Sequence, residues 1–110
     1  MHGTREGEAE GTRIGRYVIH YSDAKQREWP ILYGQDVRDF WKKANEPEGP
    51  AKLVEAWSGH NADATAYGAI IRLFKATWRN PRPEATIESI DFESELTNCE
   101  PFLVALTAEP

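Results

Sequence analysis

Four tryptophans, Trp29, Trp41, Trp57 and Trp78, stand in a chain of 110 residues. They are the side chains here best suited to binding chemistry. A flat indole covers the C–H face of a pyranose ring, and planar polar groups beside it take up the hydroxyls. Trp29 lies next to Pro30 and follows the charged Arg27 and Glu28, and Trp41 precedes Lys42 and Lys43. These two are therefore expected to be partly exposed. Arg38, His60, Asn61 and Arg79 supply hydrogen-bonding groups in the neighbouring stretches, so the candidate ligand-binding set is Trp29, Trp41, Arg38, His60, Asn61 and Arg79. Trp57 and Trp78 sit between apolar neighbours on strand-like runs and are expected in the core.

Other chemistries find less support. His2, His20 and His60 are far apart and Cys99 is the single cysteine, so no zinc-ligand spacing exists and no internal disulfide forms. Asp36 with Asp39, or Asp91 with Glu93, would suit a cation, but no EF-hand-like loop surrounds them. No serine stands in a Gly-x-Ser-x-Gly elbow. Cys99, between Asn98 and Glu100, lies in an acidic setting that opposes thiolate formation. No glycine-rich phosphate loop precedes a helix. The expectation is a non-catalytic protein with no cofactor and no metal.

Composition narrows the partners. A net charge of −5 opposes the clustered positive charge that a phosphate backbone demands, so no nucleic-acid partner is expected. No apolar run approaches the ~20 residues of a membrane span, and Met1–Glu8 has no hydrophobic signal-peptide core. The compartment is left open. Arg72, Lys75, Arg79 and Arg82 are the only charges between Asp63 and Glu84, and only acids follow Arg82. That split suggests opposite charges facing one another across strands or layers.

The elements that must position these residues are mostly strands. Residues 1–12 are rich in Gly, Glu and Thr without periodicity and read as a flexible lead-in or linker to a domain over 13–110. Arg16–Ser22 alternates, with Tyr17, Ile19 and Tyr21 on one face. Gln26–Tyr33 puts Arg27, Trp29, Ile31 and Tyr33 on one face, after a turn at Ser22–Lys25. This is a hairpin, with Pro30 placing its second strand at an edge or bulge. Asp36–Ala44 and Tyr67–Trp78 fit helix and strand almost equally by spacing. Asn45–Lys52 and Ser58–Thr65 read as loops, and Leu53–Trp57 as a short strand. Ala85–Glu93 is a strand bulged between Ile87 and Ile90, which have opposite parity. Phe102–Leu106, apolar on both faces, reads as a central strand buried between layers. Between the runs, Thr77–Pro83 (TWRNPRP) reads as a structural corner, anchored by Trp78 and locked by Asn80. Six or seven short strands with polar loops indicate an all-β antiparallel sandwich.

Ile31–Trp41, Ala56–Asn61, Thr77–Pro81, Ile87–Phe92 and Pro101–Thr107 follow in an order that resembles a galactose-binding-like, jelly-roll β-sandwich module. The resemblance covers roughly residues 14–109 and implies a strand over Tyr67–Trp78. Such modules are often appended to the C-terminus of multidomain bacterial proteins. They are non-catalytic; many bind sugars at loops or on a sheet face, and others contact protein. No defined sugar-binding residue set of that family is matched here. Two functions follow as expectations: an accessory module that binds glycan, or a structural module that contacts a neighbouring protein domain.

Overall fold

The hairpin forms where alternation places it. In the computed structural model, which describes residues 1–109, β2 (Arg13–Tyr21) and β3 (Gln26–Leu32) pair antiparallel. The turn is closed by Tyr21 N–H donating to the Lys25 carbonyl at 2.9 Å and by Lys25 N–H donating to Asp23 Oδ1. Pro30 lies on β3, an edge strand of the three-stranded sheet β3-β2-β7, where its missing N–H costs little. The third strand, β7 (Ile87–Ser94), runs antiparallel to β2 and carries the expected bulge: its register shifts where Ser89 pairs with His20 and Ile87 with Tyr21. Tyr17, Ile19 and Tyr21 of β2 are buried. Across the opposite face run the ion pairs Arg16–Glu93 (2.6 Å) and Arg13–Glu95 (3.0 Å), and His20 Nε2 is hydrogen-bonded to Asp91 Oδ2 at 2.8 Å. The acidic strand thus finds its cations in β2, not in the run holding Arg72 and Lys75, because that run belongs to the other sheet.

The second sheet has five strands: β1 (His2–Arg5), β4 (Trp41–Lys43), β5 (Val54–Gly59), β6 (Ala69–Lys75) and β8 (Glu100–Leu103). Its path is β4-β6-β1-β8, with β5 on the free side of β6. The ambiguous Tyr67–Trp78 stretch is therefore a strand over Ala69–Lys75. Asp36–Ala44 is not a helix. Asp36 Oδ2 accepts from Leu32 N–H at 2.9 Å, Gly34 takes φ 87°, and its N–H donates to the Val37 carbonyl at 2.7 Å. A tight turn therefore delivers the chain into β4, since Asp and Gly satisfy a turn better than a helix start here. A short helix, α1 (Ala62–Ala66), occupies part of the polar loop expected at Ser58–Thr65, with Asn61 as its N-cap.

Two expectations about the chain ends are corrected. Residues 2–5, expected in a flexible lead-in, form β1 between β6 and β8, with His2 3% and Thr4 0% exposed. Small polar residues escape a periodicity reading, yet His2 finds partners on both rings nitrogens: Nε2 donates to the Asp36 carbonyl at 2.8 Å, so Nδ1 accepts from the Tyr17 hydroxyl, also at 2.8 Å. That bond ties the two sheets together. Conversely, Phe102–Leu106 is no central strand. β8 ends at Leu103 on the sheet edge, and Val104 and Leu106 are half exposed. Val104→Ala should consequently shift the unfolding free energy by less than about 0.5 kcal/mol in urea denaturation.

The whole is an all-β fold of two antiparallel sheets with little helix, consistent with a β-sandwich. Its core joins Ile14, Tyr17, Ile19, Tyr21 and Ile31 of the smaller sheet to Phe74 of the larger one, with Tyr33, Val37 and Cys99 from the connections. The segment TWRNPRP forms the corner expected of it. Asn80 Oδ1 accepts from Arg82 N–H at 2.9 Å, its Nδ2 donates to the Arg82 carbonyl at 3.2 Å, and the buried Tyr21 hydroxyl donates to Oδ1 at 2.5 Å. Trp78 packs partly buried against Trp29, ring centroids 6.0 Å apart. Arg82 pairs with Asp23 and lies over the Tyr21 ring, while Arg79 is exposed. Asn80→Ala strands the Tyr21 hydroxyl and should lower stability by about 1–2 kcal/mol, read as a fall in denaturant midpoint.

Candidate functional site

Parity along the strands of the larger sheet separates two faces. Phe74, Arg72 and His2 look towards the smaller sheet or lie beneath the loop that follows β4. The alternate positions look away from the smaller sheet. On this outer face Gly59 of β5 and Trp41 of β4 flank Ile71 of β6. In the next row Trp57 pairs with Leu73, and Gly3 of β1 pairs with Phe102 of β8. Trp57 is 49% exposed and Tyr67, just after α1, is 76% exposed. The expectation that Trp57 belongs to the core is overturned: apolar neighbours along a strand mark two faces, and the face of Trp57 has no layer over it.

Two glycines shape this surface. A Cβ on Gly59 would stand 2.5 Å from the six-membered ring of Trp57, and one on Gly3 would stand 2.5 Å from the ring of Phe102. Each aromatic ring therefore lies folded down over a glycine backbone, which only a residue without a side chain allows. Phe40 meets Phe102 edge-on at 5.9 Å and Trp41 at 6.0 Å, and Trp41 meets Tyr67 at 5.4 Å. Phe102, Phe40, Trp41 and Tyr67 thus form a run of ring contacts, and Trp57 stands half exposed on the same sheet face.

Polar groups stand at one margin of these rings. A hollow of about 120 Å³ is lined by Arg5, Glu6, Asp39, Phe40 and Trp41. The indole Nε1 of Trp41 is buried and has no acceptor among the described residues. Asp39 accepts from Trp41 N–H through Oδ1 at 3.2 Å, and burial pushes its carboxyl above the usual carboxylate range. The arrangement sets ring faces beside the Asp39 carboxyl and the Arg5 guanidinium, which pairs with Glu100 at 3.5 Å. It holds no nucleophile paired with a base. Among the described residues no cluster of three His, Cys, Asp or Glu would hold a metal ion.

Of the six residues singled out by sequence, the structure brings only Trp41 among these rings. Trp29 belongs to the other sheet, stacked on Tyr17 (4.8 Å) and near Trp78, where it packs against the core. Arg38 is 7% exposed and held by Glu10 (2.9 Å) and the Pro47 carbonyl (2.7 Å). His60 is exposed just beyond β5, and Asn61 spends its side-chain oxygen on Ala64 N–H at 2.7 Å. Arg79 projects from the corner, away from the others in sequence and sheet. Trp57, Tyr67, Phe102 and the two glycines were missed. The spacing Trp57-x-Gly59 on a strand was the available signal, because i and i+2 share a face.

A second cleft of about 480 Å³ lies under the loop between β4 and β5, lined by Arg38, Lys42, Glu46, Leu53, Arg72 and Phe74 among others. Its charges are mostly spent within the fold. Arg72, 3% exposed, forks onto Glu46 with both contacts at 2.5 Å, and its Nε donates to the Asp39 carbonyl at 3.0 Å. Burial alone would raise the Glu46 carboxyl, but the bond from Arg72, with the charges of Arg72 and Arg38, brings it below its usual range. Searches of protein-family models, curated proteins and solved structures return no match to this chain.

Proposed function

We propose that this chain is a non-catalytic, carbohydrate-binding β-sandwich module that takes its ligand on the outer face of the five-stranded sheet. The observation carrying this reading is the pair of exposed rings, Trp57 and Tyr67, beside the partly buried Trp41, with polar groups at the margin. Rings of this kind match the C–H faces of sugars, and Arg5 and Asp39 match hydroxyl groups in donor and acceptor sense. The two-sheet fold is in keeping with a galactose-binding-like jelly roll, and the resemblance to that family carries the further proposal of an accessory place in a larger bacterial protein.

Affinity electrophoresis in gels containing soluble polysaccharides tests the reading. The wild-type chain should be retarded, and Trp57→Ala and Trp41→Ala should each weaken binding by about tenfold or more, the scale of one lost anchoring contact. Trp57→Ala should leave the melting temperature nearly unchanged, since the ring is half exposed. Absence of retardation by every polysaccharide, together with self-association of the wild type that Trp57→Ala abolishes, would replace the glycan by a protein partner on the same face.

A further inference from the structure

β1 and β8 form a two-stranded unit with a narrow hold on the rest of the fold. β1 pairs with β8 along its whole length, from His2 with Leu103 to Arg5 with Glu100. With β6 it shares a single register pair, His2 with Phe74. Its further polar ties run through the Thr4 carbonyl, which accepts from Phe40 N–H at 2.8 Å, and through the imidazole of His2. That imidazole, 3% exposed, reaches the Asp36 carbonyl in the turn before β4 and the Tyr17 hydroxyl of the other sheet.

Both bonds belong to the neutral ring. Nε2–H donates to the Asp36 carbonyl, and Nδ1 accepts from Tyr17. A second proton, on Nδ1, sets two donors against each other. The Tyr17 hydroxyl would have to turn its hydrogen away, and it has no second partner among the described residues. It keeps that hydrogen, because burial pushes its pKa up to about 12.

The surroundings favour the neutral ring. Burial holds the His2 pKa below the usual histidine value, and the Met1 amine acts in the same direction. The bond to the Asp36 carbonyl and the charge of the Asp36 carboxylate act against them and are outweighed. That carboxylate is itself engaged, accepting from Leu32 N–H at 2.9 Å and lying 3.7 Å from Lys52 Nζ. From β6 and β8 the register partners of His2 are the uncharged Phe74 and Leu103, with the Arg72 guanidinium 5.0 Å from the centre of the Phe74 ring.

We infer that His2 is an acid-released latch, whose protonation opens the β1–β8 unit away from β6 and the smaller sheet. In the open state the ring is hydrated and takes its proton near the ordinary histidine value of about 6.5. The open state therefore binds the proton more tightly than the closed one, and opening becomes more favourable as pH falls below about 6.5. Opening also withdraws Gly3 and Phe102 from the outer face, so mild acid dismantles one side of the candidate site.

Native-state amide hydrogen exchange at about pH 7.5 and 5.5, corrected for the pH dependence of exchange itself, reads the opening. Opening constants for the β1 and β8 amides should rise about tenfold between these values, the factor for a group of pKa about 6.5 that titrates only when open. His2→Gln keeps one donor and one acceptor but does not titrate, and should cut the rise to about twofold or less with His20 and His60 still in place. In the wild-type chain the ring C–H resonances of His2 should stay those of the neutral form down to about pH 5.5, a readout that needs no variant. A rise as large in His2→Gln as in the wild type would overturn the latch, as would no rise in the wild type. So would a His2 ring that takes up its proton in the folded chain with a midpoint above about pH 5.5.

Discussion

A chain beginning at Glu6 will not show a cooperative unfolding transition. Residues 2–5 form β1, which lies between β6 and β8, and β8 has no other partner within its sheet. Removing β1 therefore removes β8 from the sheet as well and leaves their ladder groups unpaired. Thr4, 0% exposed, also offers its carbonyl to Phe40 N–H at 2.8 Å, which holds the entry to β4. Without His2 the Tyr17 hydroxyl loses its acceptor inside the core, where burial has already pushed its pKa up to about 12. Each buried polar group left unpaired costs about 1–3 kcal/mol. Two such losses, added to those of the β1 and β8 ladders and of the buried Thr4, are comparable with the ~5–15 kcal/mol that holds a domain of this kind folded. Near-ultraviolet circular dichroism on heating is the measurement. A sharp transition within a few degrees of the full chain would show β1 to be dispensable.

The second large effect lies at Glu46. Glu46→Ala leaves the guanidinium of Arg72 buried with its strongest acceptor gone, and breaking a buried pair in this way costs about 3–5 kcal/mol. Denaturant titration should show the loss, and a double replacement, Glu46→Leu with Arg72→Met, should recover most of it because neither charge then remains to be paired. The pH dependence follows from the lowered carboxyl. The unfolded chain binds the proton more tightly than the folded one, so the contribution is full above about 4.5, the unfolded value, and is lost as pH falls through the folded value. Glu46→Gln should flatten that part of the acid limb. A double variant no more stable than Glu46→Ala would mean that the loss comes from the packing of the loop and not from the stranded charge.

Local and near-neighbour features were legible in the residues alone. Alternation in Arg16–Tyr21 and Gln26–Leu32 fixed the hairpin, because one face of a strand must be buried and the turn between is short. The opposed parity of Ile87 and Ile90 located the bulge, and the Asn-Pro pair located the corner. These follow from backbone sterics and period-two patterning, which act within a few residues. Which apolar face is covered follows from packing between distant segments. Trp57 and Leu73 alternate as core residues would, yet no second layer lies over them. Phe102–Leu106 is as apolar as a central strand, but its place at the edge follows from β1, some hundred residues away. The candidate site was legible only in Trp41, since it is built by bringing Gly3, Phe40, Trp57, Gly59 and Phe102 onto one face. Alternation records that a strand has two faces. Which of them meets water is set by long-range pairing and layer packing, which no local pattern encodes.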